Sequence, residues 1–363
     1  MKTATITYHN VYNYGAVLQA YALQQVQLGM AISNVIIDHS LEKKYSGWRL
    51  RGRSPFLFLL SLLRLLATLL HYLAIRRQRS SFDRFIRDNL ILTSPYKDFK
   101  ALRSHPPKAD LYLAGGDQLW NVSQSIKRAF FLDFGGSKVR RASYSVSMGS
   151  CHIAPEKLKG VQKLLGRFTA ISVREEEAKS LLAKILEPKA DIHVNFDSVF
   201  LLTREEWNRL SHPGRIQGKY ILCFPMGDRP VLNYALRKLK RLTGYRTVLV
   251  TTEIILRIQA DIKIRDASPE EFLSLIRNAE YVLTSSFHGT AFSILFERKF
   301  FTYSGGSLPG RMIGLLDQLG LKDRLFDSPS RINTSDIDYD YCNEIIGQER
   351  SAAMEYLLSV LKS

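Results

Sequence analysis

Tyr281-Val282-Leu283-Thr284-Ser285-Ser286-Phe287-His288-Gly289-Thr290 runs straight into the apolar segment Ala291–Phe296, and the reading of this stretch decides the fold. Tyr281–Thr284 has the composition of a short strand, Ser285–Thr290 is small and polar, and Ala291–Phe296 predicts a helix. A strand that passes through a polar turn into a helix is the unit of an α/β sheet. Ligands of such sheets sit at the carboxyl ends of the strands. The helix start offers free backbone N–H groups and partial positive charge to an anion. Ser285, Ser286 and Thr290 add hydroxyls, and Gly289 allows close approach to the backbone. His288 is expected at the rim as a proton donor or acceptor. The alternative is a capping turn with a structural histidine.

The same alternation extends along the chain. Strands are expected at Thr3–Tyr8, Val35–Asp38, Leu111–Ala114, Ala142–Val146, Ala170–Val173 and Ile192–Asn195, then at Tyr220–Phe224, Thr247–Thr251, Tyr281–Thr284 and Phe300–Tyr303. Helical patterns lie between most of them, as at Val17–Leu28 and Glu175–Leu186. This predicts an α/β protein with parallel sheets covered by helices on both faces. With 363 residues, two domains are expected. The first covers 1–200, the joint lies near Asp197–Pro213, the second covers 214–340, and a helix within 341–363 packs back across the joint.

Other strand-to-helix turns also carry chemistry. Tyr8–Ala16 supplies Asn10, Asn13, Tyr14 and Gly15 just before a helix, a composition suited to a sugar or a phosphate, or simply to an aromatic-rich cap. Gly115-Gly116-Asp117-Gln118 follows a strand, its glycines freeing the backbone and Asp117 and Gln118 offering polar groups. Arg174 stands between a strand and a helix, where a guanidinium can fork onto phosphate or carboxylate, or pair with Glu175 or Glu177. Arg311 opens the helix Met312–Leu319 and offers another cation. Neither the GxGxxG fingerprint nor the GxxxxGK[ST] loop is present, so NAD and ATP lack support. Three cysteines without a CxxC pair argue against a disulfide scaffold and a zinc site, and no metal is expected.

Lys and Arg total 51 against 34 Asp and Glu, a formal charge of +17 that favours anionic partners. The excess is uneven, with fourteen Lys or Arg against three Asp between Lys43 and Arg103. Within that region Pro55–Ile75 is almost wholly apolar, its polar residues Ser61, Arg64, Thr68 and His71 falling on one narrow helical stripe, with Arg76, Arg77 and Arg79 directly after. An apolar and basic helical insertion near 55–90 is read from this, lying on an anionic membrane surface through 55–79. The alternatives are a helix packed on protein and a true span. The amino terminus lacks the apolar core of a signal peptide, so the expected place is the cytoplasm, peripheral at the inner face of the plasma membrane.

Taken in order, YHNVYNYGAVLQAYAL from Tyr8, GGDQLWN from Gly115, SVREEEA from Ser172, SSFHGTAFSILF from Ser285 and LLDQLGLKDRL from Leu315 resemble the polysaccharide pyruvyltransferase family, from Thr5 to near Leu358. Two departures are visible. Gly116 stands where the family commonly has Ser, and Asp197-Ser198-Val199 replaces the usual Asp-Pro-Thr. The resemblance implies two Rossmann-like domains in a GT-B-like arrangement with the active site in the cleft. It implies phosphoenolpyruvate as donor co-substrate, no other cofactor, and a lipid-linked or nucleotide-linked hexose as acceptor, closed into a cyclic ketal. His288 is then the acid/base group. Arg174, Ser285, Ser286, Gly289, Thr290 and Arg311 are expected on the donor, and Asn10, Asn13, Tyr14, Gly15, Gly116, Asp117 and Gln118 on the acceptor. A GT-B glycosyltransferase with a nucleotide-sugar donor is the main alternative. A non-enzymatic nucleic-acid-binding protein is the second, although no nucleic-acid-binding motif is present and no nucleic acid is expected as partner.

Overall fold

Strands β1 (Lys2–Ile6), β2 (Ser33–Ile36), β3 (Leu111–Gly115) and β4 (Arg140–Tyr144) form the first sheet, in the order β2-β1-β3-β4 with every pair parallel. Beside it β5 (Ile171–Val173) pairs with β6 (Ile192–Val194), and bridges from Ala142 to Ala170 and from Val146 to Val173 join this pair to β4. The second sheet contains β7 (Tyr220–Phe224), β8 (Arg246–Val250), β9 (Ile262–Ile264), β10 (Tyr281–Thr284), β11 (Lys299–Tyr303) and β12 (Leu325–Phe326). Its order is β12-β11-β10-β7-β8-β9, again all parallel. This computed structural model describes the chain apart from residues 40–55, 124, 150, 187–190, 228–229, 254–257, 304–309, 329–331, 333 and 363, and the side chains of 56–71.

Parallel strands roofed by helices on both faces read as continuous apolar runs. Accordingly every residue of β3, β7 and β10 is buried. β9 and β12, three and two residues long, were not among the expected strands.

Each sheet has one point where the chain reverses its direction of growth. In the first sheet β1 has β2 on one side and β3 on the other, and in the second β7 lies between β8 and β10. A crevice opens outside the carboxyl ends of the strands at such a switch point. Four loops stand at these switch points: the segment after β1, the Gly116 turn after β3, the segment after β7, and Ser285–Ser286 after β10.

The helix Tyr14–Gly29 follows β1 and is buried along most of its length. One flank packs on the first sheet and another on the second lobe, which is why its apolar residues do not keep to one face. Two of its buried glutamines are tied in: Gln27 donates to Thr5 Oγ1 at 3.1 Å, and Gln24 donates to Asn34 Oδ1 at 3.0 Å. Between the lobes Tyr14 stacks on Phe272 at 4.3 Å and meets Phe224 and Phe82.

Phe82 also belongs to the helix Phe56–Asn89. Gln78, Ser81, Phe82, Phe85 and Ile86 are buried on one side of it, whereas Tyr72, Leu73, Arg76 and Arg77 are exposed. Each fully buried Phe is worth roughly 1.5–3 kcal/mol relative to exposure. Arg79 does not join the exposed set, since its guanidinium lies over the Tyr12 ring at 5.2 Å. The expected stripe of Ser61, Arg64, Thr68 and His71 falls outside the described side chains. Among the described residues no helix is long and apolar enough to cross a membrane. The last helix, Tyr339–Lys362, bonds to both lobes: Asn343 donates to Glu297 at 2.8 Å, and the Tyr356 hydroxyl donates to the Ser143 carbonyl at 2.7 Å.

Candidate functional site

Arg174 leaves the end of β5 and turns inward, its side chain 3% exposed. The guanidinium meets Asp197 Oδ2 at 2.6 Å and donates to Asp117 Oδ1 at 3.1 Å. Longer contacts reach Ser145 Oγ and Gln19 Oε1, both at 3.4 Å. The expected alternative partners Glu175 and Glu177 are not the ones used. Glu175 instead accepts from Ser147 Oγ and from the Met148 N–H. Burial pushes the Glu175 carboxyl up, against the opposing pull of Ser147 and Arg174.

Asp117 is carried by a turn that only particular backbone angles allow. Gly116 has φ +132°, and a Cβ there would stand 2.6 Å from Gln19 Nε2 and 2.8 Å from Thr7 Oγ1. The glycine thus admits two polar side chains against the backbone. Gln19 then accepts from the Asp117 N–H at 3.0 Å. From the second lobe, the first turn of the helix Gly310–Gln318 brings in Arg311, whose Nη1 lies 3.0 Å from the same Asp117 oxygen and 3.3 Å from Ser147 Oγ. Both guanidiniums also approach the Phe287 ring, at 5.2 Å and 5.7 Å from its centroid.

Asp197 lies at the carboxyl side of β6 and is wholly buried. Its Oδ1 accepts from the Val199 N–H at 2.9 Å and so starts the 3-10 turn Ser198–Leu201. The bend that the absent proline would have fixed is set by this cap. Oδ2 faces Arg174 and, at 3.4 Å, His288 Nε2. Burial by itself would raise this carboxyl, but the Arg174 guanidinium and His288 outweigh it and hold it well below the usual carboxylate range.

The rim position expected for His288 is corrected. The helix after β10 begins at Phe287, not at Ala291, so His288 sits in its first turn and is buried. Its ring lies against Gly15, where a Cβ would stand 2.0 Å from Nδ1. Gly15 therefore makes room for the imidazole rather than contacting an acceptor.

Other expected contacts also find a different reason. Ser286 caps the helix Phe287–Leu295 by accepting from the Gly289 N–H at 3.3 Å. Gly289 packs so tightly that a Cβ would fall 2.5 Å from Thr284 Oγ1. Thr290 is fully buried and bonded to Ser286 and Thr302. Ser285 Oγ accepts from the Met226 N–H at 2.9 Å. Asn13 caps the helix Tyr14–Gly29, and Tyr14 is a core residue whose hydroxyl joins the Ala267 carbonyl and Gln78. Asn10 turns to Asp38 at 3.4 Å, and Gln118 accepts from Asn121 at 3.1 Å. Of the expected residues, the structure brings Gly15, Gly116, Asp117, Arg174, His288 and Arg311 together. It adds Thr7, Gln19, Ser145, Ser147, Glu175, Asp197 and Phe287.

Thr7 Oγ1, Gln19 Nε2, His288 Nε2 and Arg311 Nε are buried here without a directed hydrogen bond. Buried polar atoms are normally satisfied, so a concentration of such atoms makes this cluster a candidate ligand site. Among the described residues no group of three or more His, Cys, Asp or Glu could hold a metal ion. Two concavities of about 340 and 370 Å³ lie elsewhere, beside Asp133 and Gly135 and beside Lys2 and Asp110. Both are away from the strand ends that carry Arg174 and His288. The cluster, with its convergent charges, is the stronger candidate.

Several solved structures share the architecture. The UDP-GlcNAc 2-epimerase of Methanocaldococcus jannaschii, in complex with UDP-GlcNAc and UDP, matches with a TM-score of 0.51 and 13% identity, over 100% of this chain and 99% of that one. The UDP-GlcNAc 2-epimerase of Neisseria meningitidis, bound to UDP-GlcNAc, matches at 0.50 and 11%, over 99% and 100%. An alpha-glucosyltransferase in complex with UDP and a 13-mer DNA matches at 0.50 and 9%, over 99% and 95%. At such identities the likeness establishes the fold alone: two Rossmann-like domains in a GT-B-like arrangement with a cleft between them. No curated protein sequence matches the chain. The family model described as polysaccharide pyruvyl transferase matches residues 13–307, from the start of the first long helix past Arg174, Asp197 and His288, and the chain belongs to that family.

Proposed function

We propose that the protein transfers pyruvate from phosphoenolpyruvate to a hexose of a surface-polysaccharide precursor and closes it as a cyclic ketal. The observation that carries this reading is the meeting of Arg174 and Arg311, from opposite lobes, within one cluster that also holds His288. A donor with a phosphate and a carboxylate calls for two cations at close quarters, and the planar fork of arginine suits both groups.

The chemistry balances without a further co-reactant. Protonation of the donor methylene makes C2 electrophilic, and one sugar hydroxyl adds there, giving up its proton. The C2–O bond to phosphate then breaks, the phosphate leaving with the electron pair. A second hydroxyl closes on C2, and its proton goes to the phosphate. His288 moves these protons, Asp197 orients its ring, and the arginines hold the charge that develops on the leaving phosphate. The acceptor enters from the other side of the cleft. A nucleotide-linked hexose is in keeping with the UDP-sugars held by similar folds, and a lipid-linked one with peripheral membrane binding through the helix Phe56–Asn89.

Incubation with phosphoenolpyruvate and a panel of nucleotide-linked and lipid-linked hexoses tests the reading. Release of phosphate with a matching mass gain on one acceptor is expected. Transfer of a sugar from a nucleotide donor instead would identify a glycosyltransferase. Replacing His288 by Asn should lower turnover by about two orders of magnitude or more in a folded protein.

A further inference from the structure

Three acids surround the two arginines, and they are not equivalent. Asp197 is wholly buried and fixed by the Val199 N–H, and Glu175 is buried and fixed by Ser147 and the Met148 N–H. Asp117 differs. Its side chain is 25% exposed, and among the described residues its carboxylate bonds only to Arg174 and Arg311, through one oxygen at 3.1 and 3.0 Å. The Arg174 and Arg311 side chains behind it are 3% and 9% exposed. Asp117 therefore covers the solvent side of both.

Charge makes the arrangement consequential. Both guanidiniums already spend an Nη1 on the Asp117 carboxylate, and Arg174 and His288 also face Asp197, so a donor with several negative charges meets cations that are largely paired. An anion can be held by both forks only if one acid withdraws, and the fixed partners of Asp197 and Glu175 leave Asp117 as the acid free to do so. The turn supports this, since among the described residues the one bond at this residue that does not involve the carboxylate is Asp117 N–H to Gln19.

The geometry points to Asp117 as an internal stand-in for the anionic group of the donor: its carboxylate occupies the double-arginine seat until phosphate or carboxylate exchanges for it. This rests on the proposed reading of the cluster as an anion site, and it assigns Asp117 to the donor rather than the acceptor. The stand-in keeps the two guanidiniums at fixed spacing and prevents adventitious small anions from settling between them. It does so at the expense of donor affinity, because a ligand must compete with a state that is already paired.

The test is calorimetric binding of phosphoenolpyruvate, and separately of inorganic phosphate, to the full-length wild type and to Asp117→Asn and Asp117→Ala. Removing the charge should tighten anion binding by about tenfold or more, the factor by which a mostly closed seat weakens a ligand, while pyruvyl transfer slows. A structural role alone would weaken binding and turnover together. Unchanged or weaker binding of both anions to folded variants overturns the proposal. Tighter phosphate binding with no binding of phosphoenolpyruvate would uphold the exchange at Asp117 and refute the donor assignment separately. The Ala variant keeps the question open to measurement should Asn retain too much of the pairing.

Discussion

Asp197 shows how much one carboxylate can carry. Wholly buried, it caps a turn, pairs with Arg174 and faces His288. Its carboxyl is held well below the usual range, so its ionised form stabilises the fold. For a depressed carboxylate that contribution is complete above the unfolded pKa of about 4 and is lost as pH falls further toward the folded value. Asp197→Asn should therefore destabilise the protein by about 3–5 kcal/mol near neutrality, the cost of leaving a buried charge without its partner. The gap should shrink when urea unfolding is repeated near pH 3, and a gap independent of pH would contradict the ion-pair account. The sequence marks Asp197 through the Asp197-Ser198-Val199 departure, but not its place in the site. Asp197 follows a three-residue strand, and its partners lie 23 and 91 positions away, outside any local pattern. Arg174 was legible because it directly follows a strand, although its partners were not. Thr290 misled for the opposite reason: a hydroxyl in a polar turn reads as a ligand donor, and only packing reveals that it faces Thr302.

Among elements, the central strands were readable as runs of buried apolar residues, and their ends shifted by only one or two positions. The starts of helices were harder. Phe287, His288 and Gly289 look like loop because Gly is a poor helix former. The Ser286 cap and burial under Thr284 override that preference and begin the helix there. The same closeness sets a test between two elements. The helix Tyr14–Gly29 and the helix Phe287–Leu295 come together where Gly15 meets the His288 ring, with no space for a methyl group. Gly15→Ala should cost about 1–3 kcal/mol through overpacking. Adding His288→Ala should recover most of the loss in thermal melting, since the colliding ring is gone. Equal melting temperatures for Gly15→Ala and the double variant would show that the strain lies elsewhere.

At the scale of the whole molecule the charge is lopsided, and that bears on where the enzyme works. The formal charge is +17, and a large share of the excess falls between Lys43 and Arg103, in and around the helix Phe56–Asn89. That helix holds to the protein by Gln78, Phe82 and Phe85, and it presents Tyr72, Leu73, Arg76 and Arg77 to solvent. Apolar and basic residues exposed together suit the boundary between headgroups and acyl chains. An enzyme whose acceptor hangs from a membrane lipid gains from being held there, because the local concentration of acceptor rises. Peripheral binding to anionic vesicles is therefore predicted, falling with salt as the charges are screened. Arg76→Glu with Arg77→Glu should release the protein while leaving transfer to a soluble acceptor analogue intact. Arg79 is left unchanged in this test because it lies over Tyr12. Co-sedimentation at low salt is decisive: wild-type protein remaining in the supernatant with anionic vesicles would place the exposed face of this helix against another protein surface instead.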